Sequence, residues 1–460
     1  MTQTVKLDRV HTLVTMDGED RVLHDADVIL EDGKIVAVGQ GLETPAGARV
    51  LDCRWCVGYP GFVNTHHHFY QALTRNLPSV QDAKLFDWLT WLYEIWRGLN
   101  PEAVRVSTDV ALGELLLSGC TTTTDHFYVF PRSAPAELLD VEIDEARRQG
   151  VRFHVTRGSM SLGKSAGGLP PDDVTQTWEE ILEDCDRVAK KYHDAGPFAM
   201  TKVALAPCSP FSVTRESLAE TAKFAREKGL RMHTHLCETM DEQDYCLEKV
   251  GMRPLDYMES VGWMGPDVWF AHGIWFTDDE IRRLGEAGCG VAHCPISNLR
   301  LGSGICHVPA LLKAGVKVGM AVDGSASNDA GNLLREMQVA MLVHRVGTGV
   351  QEMPARTVLR MATRGGAEIL GYGESAGAVE VGRAADLALF RLDKVEYAGA
   401  MADPASAVLF CGSAPRAEYT IVAGEVLVEK GHLVRMDEEK LFHEANWEAA
   451  RLLQKAGVKG

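Results

Sequence analysis

From residue 57 to residue 324 the chain repeats one unit eight times: a short apolar or β-branched run, a loop, then a segment of helix length. The runs are VGYPGFVNT at 57–65, TTTTDHF at 121–127, RFHVTRG at 152–158 and VALAPC at 203–208, then RMHTHL at 231–236, VWFAHGI at 268–274, GVAHCP at 290–295 and KVGMAVDG at 317–324. Strands that alternate with helices build parallel sheets, and eight such units close naturally as an α/β fold of the (β/α)8 barrel type. In that fold chemistry gathers where strands end and the following loops begin.

The flanks read differently. Residues 1–57 alternate β-branched runs with turns, Asp32-Gly33 marking a hairpin, and the same vocabulary returns at 385–392 and 419–431 with Ala423-Gly424 at a bend. These ends suggest one small β module built from segments 1–57 and 376–435, flanking a barrel of 58–375. Residues 437 to 455 read as an amphipathic helix within a terminal segment, 436–460. Helix stops agree with the pattern: 101–119 begins at Pro101 and ends at Gly119, and 215–228 and 277–287 end before Gly229 and Gly288. One loop is unusual. Residues 69–100 carry Phe86, Trp88, Trp91, Tyr93 and Trp96, an aromatic density that suits a cap over the barrel mouth, a subunit contact or a wall for a flat heterocycle.

A formal net charge of −17 argues against nucleic-acid backbones and anionic membranes, which demand clustered Lys and Arg, and points to small molecules as partners. The N-terminus lacks the basic-then-apolar pattern of a secretion signal, no apolar run approaches a membrane span, and the eleven cysteines lack framework spacing. A cytoplasmic protein with reduced thiols is expected. The lone C-x-x-C of Cys53 and Cys56 has no second pair to make a zinc ribbon.

The first run ends in N-T-H-H-H-F. In an extended chain residues two apart share a face, so His66 and His68 can point together while His67 turns away. A zinc-type ion needs such convergent nitrogens and further ligands from elsewhere, and His235, His272 and Asp323 each stand at the end of a later run.

An HxH, a H-x-x-E at His235 and Glu238, an isolated strand-end His272 and a strand-end Asp323, in that order, resemble the amidohydrolase superfamily and its aminohydrolase branch of nucleobase and triazine deaminases. The segments NTHHHFYQALTRNLP, LLLSGCTTTTDH, RGSMSLGKSAGGLPP, APCSPFSV and VDGSASND look most like the 8-oxoguanine deaminases, with hydroxyatrazine-type triazine aminohydrolases next. The resemblance implies a β-sandwich of N- and C-terminal segments beside the barrel, and His66, His68, His235 and Asp323 as ligands of a divalent metal. Zinc is the default and Fe2+ would tolerate the same ligands. Binuclear relatives use a modified Lys at the end of the fourth strand. Here that strand ends Ala206-Pro207-Cys208 and Lys202 stands at its beginning, so one metal per chain is expected.

By the same resemblance Glu238 shuttles protons, His272 hydrogen-bonds the attacking oxygen or the substrate, and Asp323 is both ligand and proton acceptor. Glu238, three residues past His235, sits where the chain turns out of the barrel. Gln71, Trp88 and Arg157 are candidate substrate contacts, by amide hydrogen bonds, stacking and charge respectively. His67 reads as structural and His233 as a core residue one pleat below His235, while His126 and His293 border the pocket without a chemical role. The expected activity is metal-dependent hydrolytic deamination of an amino-substituted N-heterocycle by a homo-oligomer, 8-oxoguanine to urate and ammonia first. An aminated triazine, a pterin or an acyclic guanyl compound is the alternative, and a non-catalytic scaffold would have lost ligands that this chain keeps.

Overall fold

The computed structural model describes residues 4 to 458. Eight parallel strands follow in sequence order: Phe62–Asn64, Cys120–Phe127, Arg152–Ser159, Thr201–Pro207, Arg231–Leu236, Val268–His272, Gly290–His293 and Lys317–Met320. First and last meet at a seam, where Thr65 donates its N–H and its hydroxyl to the Met320 carbonyl, each at 3.0 Å. Gly319 permits that approach, because a Cβ there would lie 2.6 Å from Thr65 Cγ2.

Period-two alternation decides what faces where. Along Val268–His272, Val268 and Phe270 join the large outer core beneath the helices, while Trp269 packs with Val63, Ala292, Ala321 and Ile369 inside the barrel. The indole packs there beside the His154 and His233 rings. The helices stop as residue chemistry dictates. Pro101–Leu117 starts with the Asn100 side chain accepting from the N–H groups of Glu102 and Ala103, and Arg215–Lys228 and Asp278–Ala287 run into left-handed Gly229 and Gly288. The aromatic insertion forms two short 3-10 turns and the helix Leu85–Trp96.

The expected first strand, 57–65, is in fact two. Cys56–Pro60 pairs with Val5–Val14 and Leu387–Arg391 in the second sheet, and Phe62–Asn64 opens the barrel. Gly61 donates to the Asp386 carbonyl and Phe62 to that of Gly119, so the chain changes sheet at a single residue.

That second sheet has nine strands drawn from both termini. Its hairpins turn at Asp32-Gly33 (φ 47° and 75°) and Ala423-Gly424 (φ 47° and 80°), the both-positive pattern that matches strand twist. Both turns clasp Ala385, whose N–H donates to Gly33 and whose carbonyl accepts from Gly424. The sheet thereby folds back over a core of Leu7, Val28, Leu387 and Ile421. Arg152 joins it to the barrel: its guanidinium meets the Asp386 carboxylate through Nε at 2.9 Å and Nη2 at 3.1 Å, with both side chains buried. The helix Glu438–Lys455 packs on Pro101–Leu117. No helix among the described residues is long and apolar enough to cross a membrane. All eleven cysteines are free.

Candidate metal centre and active site

Four side chains from three distant segments converge at the C-terminal end of the barrel. His68 Nε2 lies 3.1 Å from His235 Nε2, and Asp323 Oδ1 lies 3.3 Å from His66 Nε2 and 3.4 Å from His68 Nε2. Ligands about 2.1 Å from a tetrahedral ion stand about 3.4 Å from one another, so these spacings suit atoms arranged around a common point. His66 Nε2 is buried and makes no hydrogen bond. The other ring nitrogens are committed elsewhere: His68 Nδ1 to the His126 carbonyl at 2.8 Å, His235 Nδ1 to the Cys208 carbonyl at 2.6 Å, and His66 Nδ1 to His233 Nε2 at 2.7 Å. A carbonyl can only accept, so His68 and His235 carry their proton on Nδ1 and present the Nε2 lone pair. The donor set therefore fits a divalent cation.

Electrostatics agree with that reading. Burial holds His66 and His235 well below the ordinary imidazole range and lowers His68, leaving the neutral form that binds metals. Burial alone would raise the Asp323 carboxyl, but His66, 3.3 Å from its Oδ1, and the nearby His272 and His68 hold it well below the usual carboxylate range. Ser297 Oγ donates to Asp323 Oδ2 at 2.5 Å and Ser327 Oγ at 3.2 Å, steering Oδ1 toward the imidazoles.

Glu238 and His272 sit beside this cluster, 3.6 Å apart between Oε2 and Nε2, and His272 Nε2 is 4.0 Å from Asp323 Oδ2. Backbone strain places them. By alternation His272 belongs with outward-facing Val268 and Phe270, but its φ of 70° turns the side chain away from that course, and Asp323 (φ 62°) and Cys237 (φ 54°) are left-handed too. Glu242 holds the bend after the fifth strand, its carboxylate accepting the N–H groups of Cys237 at 3.0 Å and Glu238 at 2.9 Å. Burial pushes the Glu238 carboxyl up to about 7. Burial opposes charge on His272, yet Glu238 and Asp323 outweigh it and raise its pKa. His272 Nδ1 is 2.8 Å from Asn298 Oδ1.

A narrow cavity opens over the cluster, with Gln71 and Trp88 on its wall beside Leu89, Tyr128, Phe211 and Ser327. Gln71 reaches in because Gly324 has no side chain; a Cβ there would overlap the Gln71 amide. Trp88 comes from the aromatic insertion and packs edge-on against Trp96. Arg157 does not line this cavity, contrary to expectation. Phe153 and Val155 lie in the outer core, and two-residue alternation sends Arg157 the same way. There its guanidinium bonds Asp184 at 2.7 Å, Gln176 at 2.9 Å and the Gly158 carbonyl, and covers the Phe130 ring.

His67 faces away, its Nδ1 accepting the His68 N–H at 2.7 Å. His126 stacks on His235 with its Nε2 on the Ala206 carbonyl, and it lies close enough to His66, His68 and His235 to count as a further nitrogen of the cluster. His293 meets His344 at 3.0 Å between Nε2 atoms. Lys202 donates to the Gly371 carbonyl at 2.7 Å, at the opposite end of the barrel from His235. Tyr128, Phe211, Ser297, Asn298, Ser327 and Glu242 escaped the sequence reading. All lie in the loops that follow barrel strands or in the helices that start just after them, and Glu242 also follows Thr239 at the spacing of a helix N-cap, which was the available signal.

Comparison with known proteins bears on this geometry. The model of the family described as Amidohydrolase family matches residues 58–427. The sequence is 47% identical over 412 residues to an 8-oxoguanine deaminase of Pseudomonas aeruginosa, covering 89% of this chain and 91% of that one. It is 38% identical over 450 residues to a hydroxydechloroatrazine ethylaminohydrolase of a Pseudomonas species, covering 95% and 93%. The fold is similar to that of an atrazine chlorohydrolase from Arthrobacter aurescens complexed with zinc, with TM-score 0.91 and 35% identity over 98% of this chain and 100% of that one. A match of this extent, running through every strand that carries the imidazoles and the carboxylates, makes the chain a member of the amidohydrolase family.

Proposed function

We propose that the chain is a metal-dependent aminohydrolase that converts 8-oxoguanine and water to urate and ammonia. The oxygen of water bonds to C2 of the base, the C2–N bond to the amino group breaks, and the nitrogen leaves as ammonia after gaining a proton. His66, His68, His235 and Asp323 would hold one divalent ion, with zinc preferred for three imidazoles and a carboxylate. When bound, such an ion supplies Lewis acidity that makes water nucleophilic near neutral pH.

The observation that carries the reading is Glu238, a buried carboxyl with its pKa near 7, facing His272 over the imidazole cluster. A carboxyl poised there accepts a proton from the nucleophile and returns it to a ring nitrogen and then to the amine. His272, oriented by Asn298, directs Nε2 at the attacking oxygen, and Asp323 Oδ2 offers a second acceptor. The Gln71 amide suits an exocyclic oxygen or a ring N–H, and Trp88 supplies an apolar wall for a planar ring. The choice of 8-oxoguanine rests on the 47% identity to the Pseudomonas aeruginosa deaminase.

A second reading, displacement of an alkylamine from a triazine, is favoured by the 38% identical hydroxydechloroatrazine relative. Ammonia and alkylamine release measured across 8-oxoguanine, guanine, isoxanthopterin, cytosine and hydroxytriazines separates the two. The expected result is highest kcat/KM on 8-oxoguanine; no turnover of any oxopurine would refute the substrate assignment.

A further inference from the structure

The three imidazoles of the centre are not held alike. His68 and His235 each place Nδ1 against a main-chain carbonyl, a partner that no substitution of a side chain removes. His66 instead places Nδ1 against another side chain, His233 Nε2, at 2.7 Å. His233 in turn places its own Nδ1 on the Trp269 carbonyl at 2.9 Å. Because that carbonyl only accepts, the neutral His233 ring carries its proton on Nδ1 and offers a lone pair at Nε2. His66 must then carry its proton on Nδ1, which leaves Nε2 bare on the side of Asp323 and His68.

Trp269 locks this chain of contacts at both ends. Its indole stacks on the His233 ring, centroids 4.5 Å apart and planes inclined by 14°. Its Nε1–H donates at 3.1 Å to the carbonyl of Thr65, the residue before His66. One tryptophan thus fixes the orientation of the relaying imidazole and the backbone of the ligand it serves.

We propose that His233 is a positioning residue of the metal centre: by accepting the His66 Nδ1 proton it fixes the tautomer and ring angle of His66, and through them the affinity for the cation. This rests on His66 being a metal ligand. The consequence is specific to one corner of the site, since the other two imidazoles are oriented by carbonyls of Cys208 and His126.

The test measures metal loss from the purified, metal-loaded enzyme to a competing chelator, by elemental analysis and without reference to turnover. His233→Leu removes the acceptor and is expected to weaken retention about 10- to 100-fold, the usual effect of losing the partner of a ligating histidine. His233→Gln, whose Oε1 can accept in place of Nε2, is expected to hold metal nearly as well as the native chain. Circular dichroism of the metal-free forms checks folding, and His233→Ala, with the least steric demand, takes the place of the Leu variant should that chain not fold. Native retention in the acceptor-less variant, or equal losses in the Leu and Gln variants, would overturn the proposal. His66→Ala separates it from the premise: full metal retention there means that His66 is no ligand, whereas loss there together with native retention in His233→Leu refutes only the role of His233.

Discussion

Replacing Glu238 by Gln keeps the size and most of the packing of a side chain that is 4% exposed, and removes its capacity to carry a proton. Burial lifts its carboxyl from 4.5 to about 7, a preference for the neutral form of about 3 kcal/mol. A bound dication nearby would pull that value down, so about 7 is its upper limit in the loaded enzyme. General acid–base catalysis is worth about 10²- to 10⁴-fold, or about 3–5 kcal/mol of barrier. Glu238→Gln should therefore lower kcat by that factor in an ammonia-release assay while metal content per chain stays native. In the native enzyme kcat/KM should fall on the acid side with a midpoint below about pH 7, because only the ionised carboxylate accepts a proton. That limb should vanish from the residual activity of the variant. Turnover of the variant comparable to that of the native enzyme, or an unchanged acid limb, would refute the proton-shuttle assignment.

Three further outcomes are expected. Gly324→Ala should push the Gln71 amide out of the cavity and raise KM by roughly three- to tenfold, the worth of one hydrogen bond, with kcat less affected; steady-state kinetics reads the split. Asp386→Ala leaves the buried Arg152 guanidinium without its carboxylate and should cost about 3–5 kcal/mol in urea denaturation, with metal content unchanged in the folded fraction. Arg157→Lys should lower the melting temperature by breaking the forked contact with Asp184 and Gln176, yet leave KM native, because that guanidinium faces the helices.

The barrel and the convergence of four side chains at its mouth were legible because both rest on rules that a sequence displays. Strand ends mark the reactive face of a barrel, and His66, His68, His235 and Asp323 all lie at such ends. Alternation, applied strictly, would also have sent Arg157 outward with Phe153 and Val155. Applied to His272 it misleads, since a left-handed residue at the strand end redirects that side chain and no propensity for positive φ is written in a histidine. The division of 57–65 into two strands was hidden for another reason. Both halves are apolar and buried, and what separates them is the partner each finds 58 or 327 residues away, Cys120 for Phe62 and Leu387 for Pro60. The carboxylate of Glu242 and the hydroxyl of Ser297 act on the site through hydrogen bonds that depend on loop geometry alone.

A mechanism built on four side chains sharing one cation is tested most directly by elemental analysis of purified protein. It predicts one divalent ion per native chain, the same in Glu238→Gln, and loss of that ion in His235→Ala and Asp323→Ala variants that still fold. Native metal content in both of those alanine variants would contradict it.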